Sequence, residues 1–356
     1  MDLFHCLFSR VARKSPCLHE ARLLFCVERK TYMEFTTFTE KVSEGVQKFL
    51  GAQVEVAVRD IRKNNGIYLT GMTIFNKESN LSPTVYLNAF YEDYQNGKPL
   101  SGVVSDIAKI YEDTKVGGRI NMDFFGDYER VKKQLFCKLV NYEKNKEMLK
   151  EAPHRKFEDL AIVCYYAYAN EIIGNGTILI YNVHMKKWGI NDGQLLLDAL
   201  ENTEKNLGYQ WYNMLDMMRD MLKENLQNER GLADIDEDEF SPEMAEDLAE
   251  QIIEGLQNES GKGPMYVVTN RGKYLGAICM IFDSILQDMA KIMQSDFIIL
   301  PSSVHEIILV PEADGGEICH LKEMVREINQ TQVEPQEILS DNVYYYDREK
   351  HKVTML

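Results

Sequence analysis

The stretch Phe297 to Pro311, FIILPSSVHEIILVP, holds two apolar runs folded about Pro301-Ser302-Ser303, with His305 and Glu306 just past the bend. Runs rich in Ile and Val, broken by a Pro-Ser-Ser turn, read as a buried β-hairpin. An amphipathic segment of helical length lies on either side, Ser284 to Met293 before and His320 to Asn329 after. Each has an apolar stripe that needs a sheet to cover, so the hairpin is expected at the centre of a core.

Working back toward the N-terminus, strand signals recur at Met265 to Thr269 and Ala277 to Phe282, and beyond the hairpin at Val343 to Tyr346 and Lys352 to Met355. Leu160 to Tyr168 pairs with Thr177 to Tyr181 across a turn containing Gly174-Asn175-Gly176. Helices are expected at Leu195 to Asn202 and Trp211 to Leu226, the second with a methionine-rich stripe that reads as core. Earlier still, Val54, Val56 and Val58 alternate with more polar neighbours, and Asn64-Asn65-Gly66 turns the chain into Ile67 to Phe75. Asn-Gly tolerates the positive φ of a tight hairpin turn. Phe35, Phe38, Val42, Val46, Phe49 and Leu50 recur at helical spacing, Thr84 to Leu87 reads as a strand, and helices are expected at 88–94, 100–113 and 128–149.

These elements define an α+β protein with mixed or antiparallel sheets built from hairpins and packed helices. Two domains are expected, an N-terminal one over residues 33–152 and a C-terminal one over 153–356, with an acidic helical insert at 228–264. Between Arg230 and Lys262 there are eleven carboxylates and no basic residue. Asp234-x-Asp236-x-Asp238 invites a calcium loop, but Glu239 stands where the sharp turn needs Gly and Ala245 where a bidentate Glu is needed. Ser241-Pro242-Glu243 instead matches a helix cap, a first-turn proline and an acid at the positive end of the dipole. Gly261-Lys262-Gly263 lacks the spacing and the hydroxyl of a phosphate loop and reads as a linker.

Residues 1–32 differ from the rest, with six Lys/Arg against three Asp/Glu and three of the chain's seven cysteines. They fail as a secretory signal, because Asp2 occupies the basic region and the apolar pieces are too short. The expectation is a leader outside the fold, with Met33 as the true start. The cysteines show no metal-ligand spacing, which suggests free thiols in a reducing cytoplasm, and neither a metal nor a cofactor is expected. A formal net charge of −16 argues against nucleic acid or an anionic membrane as partner. The longest apolar run, Leu160 to Ala169, is far shorter than the roughly 20 residues of a membrane helix. A protein partner remains open.

The one place where Ser, His and a carboxylate crowd together is the bend of the central hairpin. Ser302, Ser303, His305 and Glu306 are therefore the candidates for nucleophilic catalysis. Ser303 and His305 would share a strand face, where neighbours seldom aim at each other as a Ser-His pair requires. A turn histidine satisfied by its surroundings is the plainer reading, and His154 and His184 read the same way. The favoured function is a non-enzymatic binding or regulatory module, since no clustered titratable groups with catalytic spacing occur elsewhere. The rival is a hydrolase using the Ser302 to Glu306 turn.

Five segments carry a resemblance: KNNGIYLTGMTI (63–74), SPTVYLNAFYEDY (82–94), VNYEKNKEMLKEAPHRKFEDLAIVCYY (140–166), FIILPSSVHEIILVP (297–311) and LSDNVYYYDRE (339–349). From about Glu34 to the C-terminus the chain resembles an uncharacterised bacterial family, domain of unknown function 5688. The C-terminal third is also faintly similar to a second such family. What the resemblance implies is a cytoplasmic bacterial protein with no assigned activity, cofactor or catalytic residue.

Overall fold

The computed structural model describes residues 32–115, 117–119, 121–170, 174–230, 246–248, 250–255 and 264–356. The expected leader, the Asp234 to Asp238 stretch, the Gly261-Lys262-Gly263 linker and most of the acidic insert lie outside these residues.

The chain begins with helix α1 (Phe35–Leu50), strands β1 (Val54–Arg62), β2 (Tyr68–Asn76) and β3 (Thr84–Tyr86), and helices α2 (Leu87–Gln95) and α3 (Leu100–Thr114). The three strands form an antiparallel sheet in the order β1-β2-β3. Phe38, Val42, Val46 and Leu50, spaced by four, bury against Met72, Ile74, Val103 and Ile107. Phe49, expected on the same stripe, lies off it and is 65% exposed. At the tip of β1–β2, Asn65 and Gly66 both take positive φ, 60° and 68°.

Residues 128–149, expected as one helix, are instead a short helix α4 (Tyr128–Val131), a 3-10 turn, strand β4 (Leu135–Asn141) and a helical turn α5 (Lys146–Leu149). In β4, LFCKLVN, every residue but Lys138 is buried. A strand covered on both faces shows no alternation, and its apolar run is indistinguishable by period from a buried helix. β4 pairs along its whole length with β6 (Leu160–Asn170), which also pairs with β5 (His154–Phe157) and β7 (Gly174–Leu179), all antiparallel. This second sheet spans residue 152, where the sequence suggests a domain boundary.

Helices α6 (Asn182–Trp188) and α7 (Asp192–Asn202) lead to β8 (Gln210–Asn213) and α8 (Met214–Arg230). Trp211, expected to open that helix, lies in β8 opposite Val268. After β9 (Tyr266–Thr269), residues Gly276–Ile281 form a 3-10 helix rather than the expected strand. Then come α9 (Asp283–Met293), β10 (Phe297–Pro301), β11 (Ile307–Pro311), α10 (Ile318–Thr331), β12 (Tyr344–Asp347) and β13 (Lys352–Met355).

The third sheet is antiparallel throughout, in the order β13-β12-β10-β11-β9-β8, so the opening stretch supplies its two middle strands. All ten residues of β10 and β11 are buried. Ile298, Leu300, Ile308 and Val310 share a cluster with Met214 and Met218 of α8 and with Leu321, Val325 and Ile328 of α10. On the opposite face, Phe297, Ile299, Ile307 and Leu309 join Ile285 and Met289 of α9 and the inner side chains of the second sheet. Strand β12 is tied in by three successive phenols: Tyr344 donates to Asp159 (2.5 Å), Tyr345 to Asp296 (2.8 Å) and Tyr346 to Asp283 (2.6 Å). Burial, and then the Asp159 carboxylate, push the Tyr344 phenol well above its usual pKa.

Candidate functional site

Between β10 and β11 the chain makes a turn whose polar groups largely satisfy one another. Ser302 and Ser303 are fully buried. Ser302 Oγ donates to Glu306 Oε1 (3.2 Å), and Ser303 Oγ accepts from the His305 backbone N–H (3.1 Å). The Ser303 N–H donates to the Glu306 carbonyl (3.3 Å). The four candidate residues are thus together, but neither serine hydroxyl is bonded to the imidazole. His305 sits in the turn itself, so the shared strand face expected for Ser303 and His305 does not form.

The His305 ring is held from elsewhere. The backbone N–H of Leu275 donates to its Nδ1 (3.0 Å), so the neutral ring carries its proton on Nε2. Leu275 reaches this position at φ 56°, a left-handed conformation costing a buried leucine on the order of 1–3 kcal/mol. Surrounding bonds over-determine it. The Asn270 side chain donates to the Tyr274 carbonyl (2.7 Å) and accepts from the Tyr274 N–H (3.3 Å), while the Lys273 N–H donates to the Asn270 carbonyl (3.0 Å). Thr269 Oγ1 then donates to the His305 carbonyl (2.7 Å). Gly276 closes the arrangement, because a Cβ there would lie 2.1 Å from Thr269 Oγ1 and 2.6 Å from the His305 carbonyl oxygen.

His305 lines a cleft of about 300 Å³. Its nearest carboxylate is Glu337, with Oε1 3.6 Å from Nε2, beyond hydrogen-bonding distance. The Tyr274 ring lies 5.2 Å from the imidazole, and Lys273 Nζ sits 5.0 Å from the Tyr212 ring on the cleft wall. A second cavity of about 270 Å³ shares Tyr274, His305 and Glu337 with the first and extends to Lys63, Asn64 and Lys138. A third, of about 450 Å³, continues from those three residues toward Tyr181. The hollows therefore run in series from Tyr212 past His305 to Tyr181.

Sequence reasoning missed Thr269, Leu275, Glu337 and Lys138. Glu337 meets His305 only because the Val304 N–H donates to the Glu337 carbonyl (2.9 Å), a contact without a local signature. Leu275 acts through its backbone, which leaves no trace in residue type. The other histidines considered are tied into structure: His154 Nδ1 meets the Ala152 carbonyl (2.9 Å), and His184 Nδ1 accepts from the Tyr181 N–H (3.1 Å). His184 packs against Phe125 and Trp188, and burial lowers its pKa. Among the described residues no group of three or more His, Cys, Asp or Glu is placed to hold a metal ion. None of the described helices is long and apolar enough to cross a membrane.

Residues 35–348 match the model of a family of unknown function, DUF5688, found largely in bacteria. The chain belongs to this family. No curated protein and no solved structure matches it.

Proposed function

We propose that the protein is a non-enzymatic binding or regulatory module of the bacterial cytoplasm, and that its partner, a protein segment rather than nucleic acid or membrane, seats over the His305 cleft. The observation that carries this reading is the Leu275 N–H bonded to His305 Nδ1. A general base needs a bare nitrogen facing the nucleophile, whereas here the bare nitrogen is capped and the other carries the proton. A fixed N–H donor beside the Lys273 ammonium and two aromatic walls suits recognition of carbonyl and carboxylate groups. The His305 cleft and the hollow that adjoins it at Tyr274 and Glu337 suit an extended ligand, and the charge of −16 disfavours polyanions. The rival reading, a hydrolase working from the Ser302 to Glu306 turn, requires the ring to leave Leu275 and swing toward a serine.

Within the module we place a separable unit at residues 33–114, which has its own core, rather than at 33–152, because β4 shares a sheet with β6. The test of the functional reading is a parallel assay of the wild type and His305→Ala on ester, phosphoester and peptide substrates. Neither should turn over any of them. Turnover by the wild type that disappears in the variant would refute the reading.

A further inference from the structure

The third cavity carries an inference that goes beyond the His305 cleft and does not depend on it. Lys138 is the one cation in β4, and its cross-strand partner is Val163. Phe136 and Val140, two residues away on either side, share its face, as do Tyr165 and Leu179 of the neighbouring strands. Its side chain is half-buried by area, and the protein packed around it lowers its pKa from the ordinary lysine value, with burial as the cause. No hydrogen bond or ion pair holds its ammonium among the described residues. Other lysines without an ion pair, such as Lys41 and Lys48 of α1, are exposed to water. Lys132, Lys146, Lys150, Lys205, Lys291 and Lys350 each sit on a carboxylate three or four residues away.

A cation drawn out of water without a counter-ion is costly, and the cost is recovered when an anion arrives. The surroundings suit such an arrival. The cavity of about 450 Å³ is roofed by the β1–β2 tip, which brings Arg62 and Lys63 to its edge and holds Lys63 Nζ 4.1 Å from the Tyr86 ring. Tyr165 and Thr177 line the same space. Two carboxylates also border it, Glu147 and Glu151, and Glu147 is bonded to Lys150 (2.6 Å). We propose that this cavity is a receptor for a small hydroxylated organic anion, whose phosphate or carboxylate group seats on Lys138 with Arg62 and Lys63 flanking it.

The probes are glycerol 3-phosphate and glycerate, which share a three-carbon hydroxylated skeleton and differ in the anionic group. Calorimetric titration of the full chain should show saturable binding of at least one of them, and the stronger identifies the group the site prefers. Lys138→Met, which keeps the stem and removes the charge, should weaken that binding at least tenfold. Lys350→Met makes the same charge change at an exposed turn and should leave the affinity within twofold. Acetylation of Lys138 by dilute acetic anhydride, followed by peptide mass spectrometry, gives a readout on the wild type alone, so it stands even if Lys138→Met fails to fold. The bound probe should slow it severalfold. Absence of saturable binding by both probes at millimolar concentration, undiminished binding by folded Lys138→Met, or acetylation of Lys138 unaffected by a bound probe would each overturn the proposal.

Discussion

The tip of β1–β2 reaches residues 335–339 through side-chain amides, whereas the tip of β10–β11 reaches the same segment through a backbone N–H. Asn64 Nδ2 donates to the Gln336 carbonyl (2.8 Å), and Asn65 Nδ2 donates to the carbonyls of Pro335 (2.9 Å) and Ile338 (2.7 Å). Asn145 braces Asn65 from behind, accepting from its backbone N–H (2.9 Å) and donating to its Oδ1 (3.0 Å). At the other tip, one bond from Val304 to Glu337 suffices, because the strands below it are already fixed in the core. One hairpin is located by burial, the other by directional bonds. Burial resists local change collectively, while a bonded joint can be undone one residue at a time.

Changes beneath the second tip should therefore be the most damaging. Ile308→Ala removes most of a fully buried side chain between α8 and α10 and should cost about 2–5 kcal/mol, read by denaturant unfolding. Gly276→Ala forces a methyl group into Thr269 and the His305 carbonyl, and should cost about 1–3 kcal/mol. It should also displace the His305 ring signals in an NMR spectrum, which a mutation remote from the turn would not do.

The first tip should respond differently. Asn65→Gly keeps the left-handed backbone but deletes three side-chain hydrogen bonds, so a loss of about 2 kcal/mol is expected. The loss should appear as a separate early transition of residues 33–114 in hydrogen exchange, with the β10–β11 amides still protected. A single cooperative transition in that variant would mean that burial rather than bonding joins the two parts. His305→Ala should have the smallest effect, about 1 kcal/mol, since it removes one acceptor from the Leu275 N–H at a half-exposed ring.

The same contrast explains what the sequence could reveal. The β10–β11 pair was legible because its Ile and Val runs and its Pro-Ser-Ser break are contiguous, and the β1–β2 tip because Asn65-Gly66 carries its φ requirement in residue type. β4 was not, since Leu135 to Asn141 is buried on both faces and loses its alternation. Residues 276–281 were not either, because Ala277, Ile278 and Cys279 are apolar whichever conformation they take. At the candidate site, the crowding of Ser302, Ser303, His305 and Glu306 was visible, but the partners that orient the ring were not. Leu275 contributes an N–H from a loop 30 residues away, and Glu337 arrives through backbone contacts. Lys138 was hidden inside a segment read as helical, where one lysine signals an exposed face; in a buried strand it signals an uncompensated charge.

Leu275 pins His305 through Nδ1, and the protonation of the two ring nitrogens can be read directly. Long-range ¹⁵N–¹H correlation spectra of the full chain at about pH 8, above the ordinary histidine range, with the His305 signals assigned by comparison with His305→Ala, report which nitrogen bears the proton. The geometry predicts a proton on Nε2 and a bare, hydrogen-bonded Nδ1. A proton on Nδ1 with Nε2 bare toward the cleft would contradict it and return His305 to the role of a base.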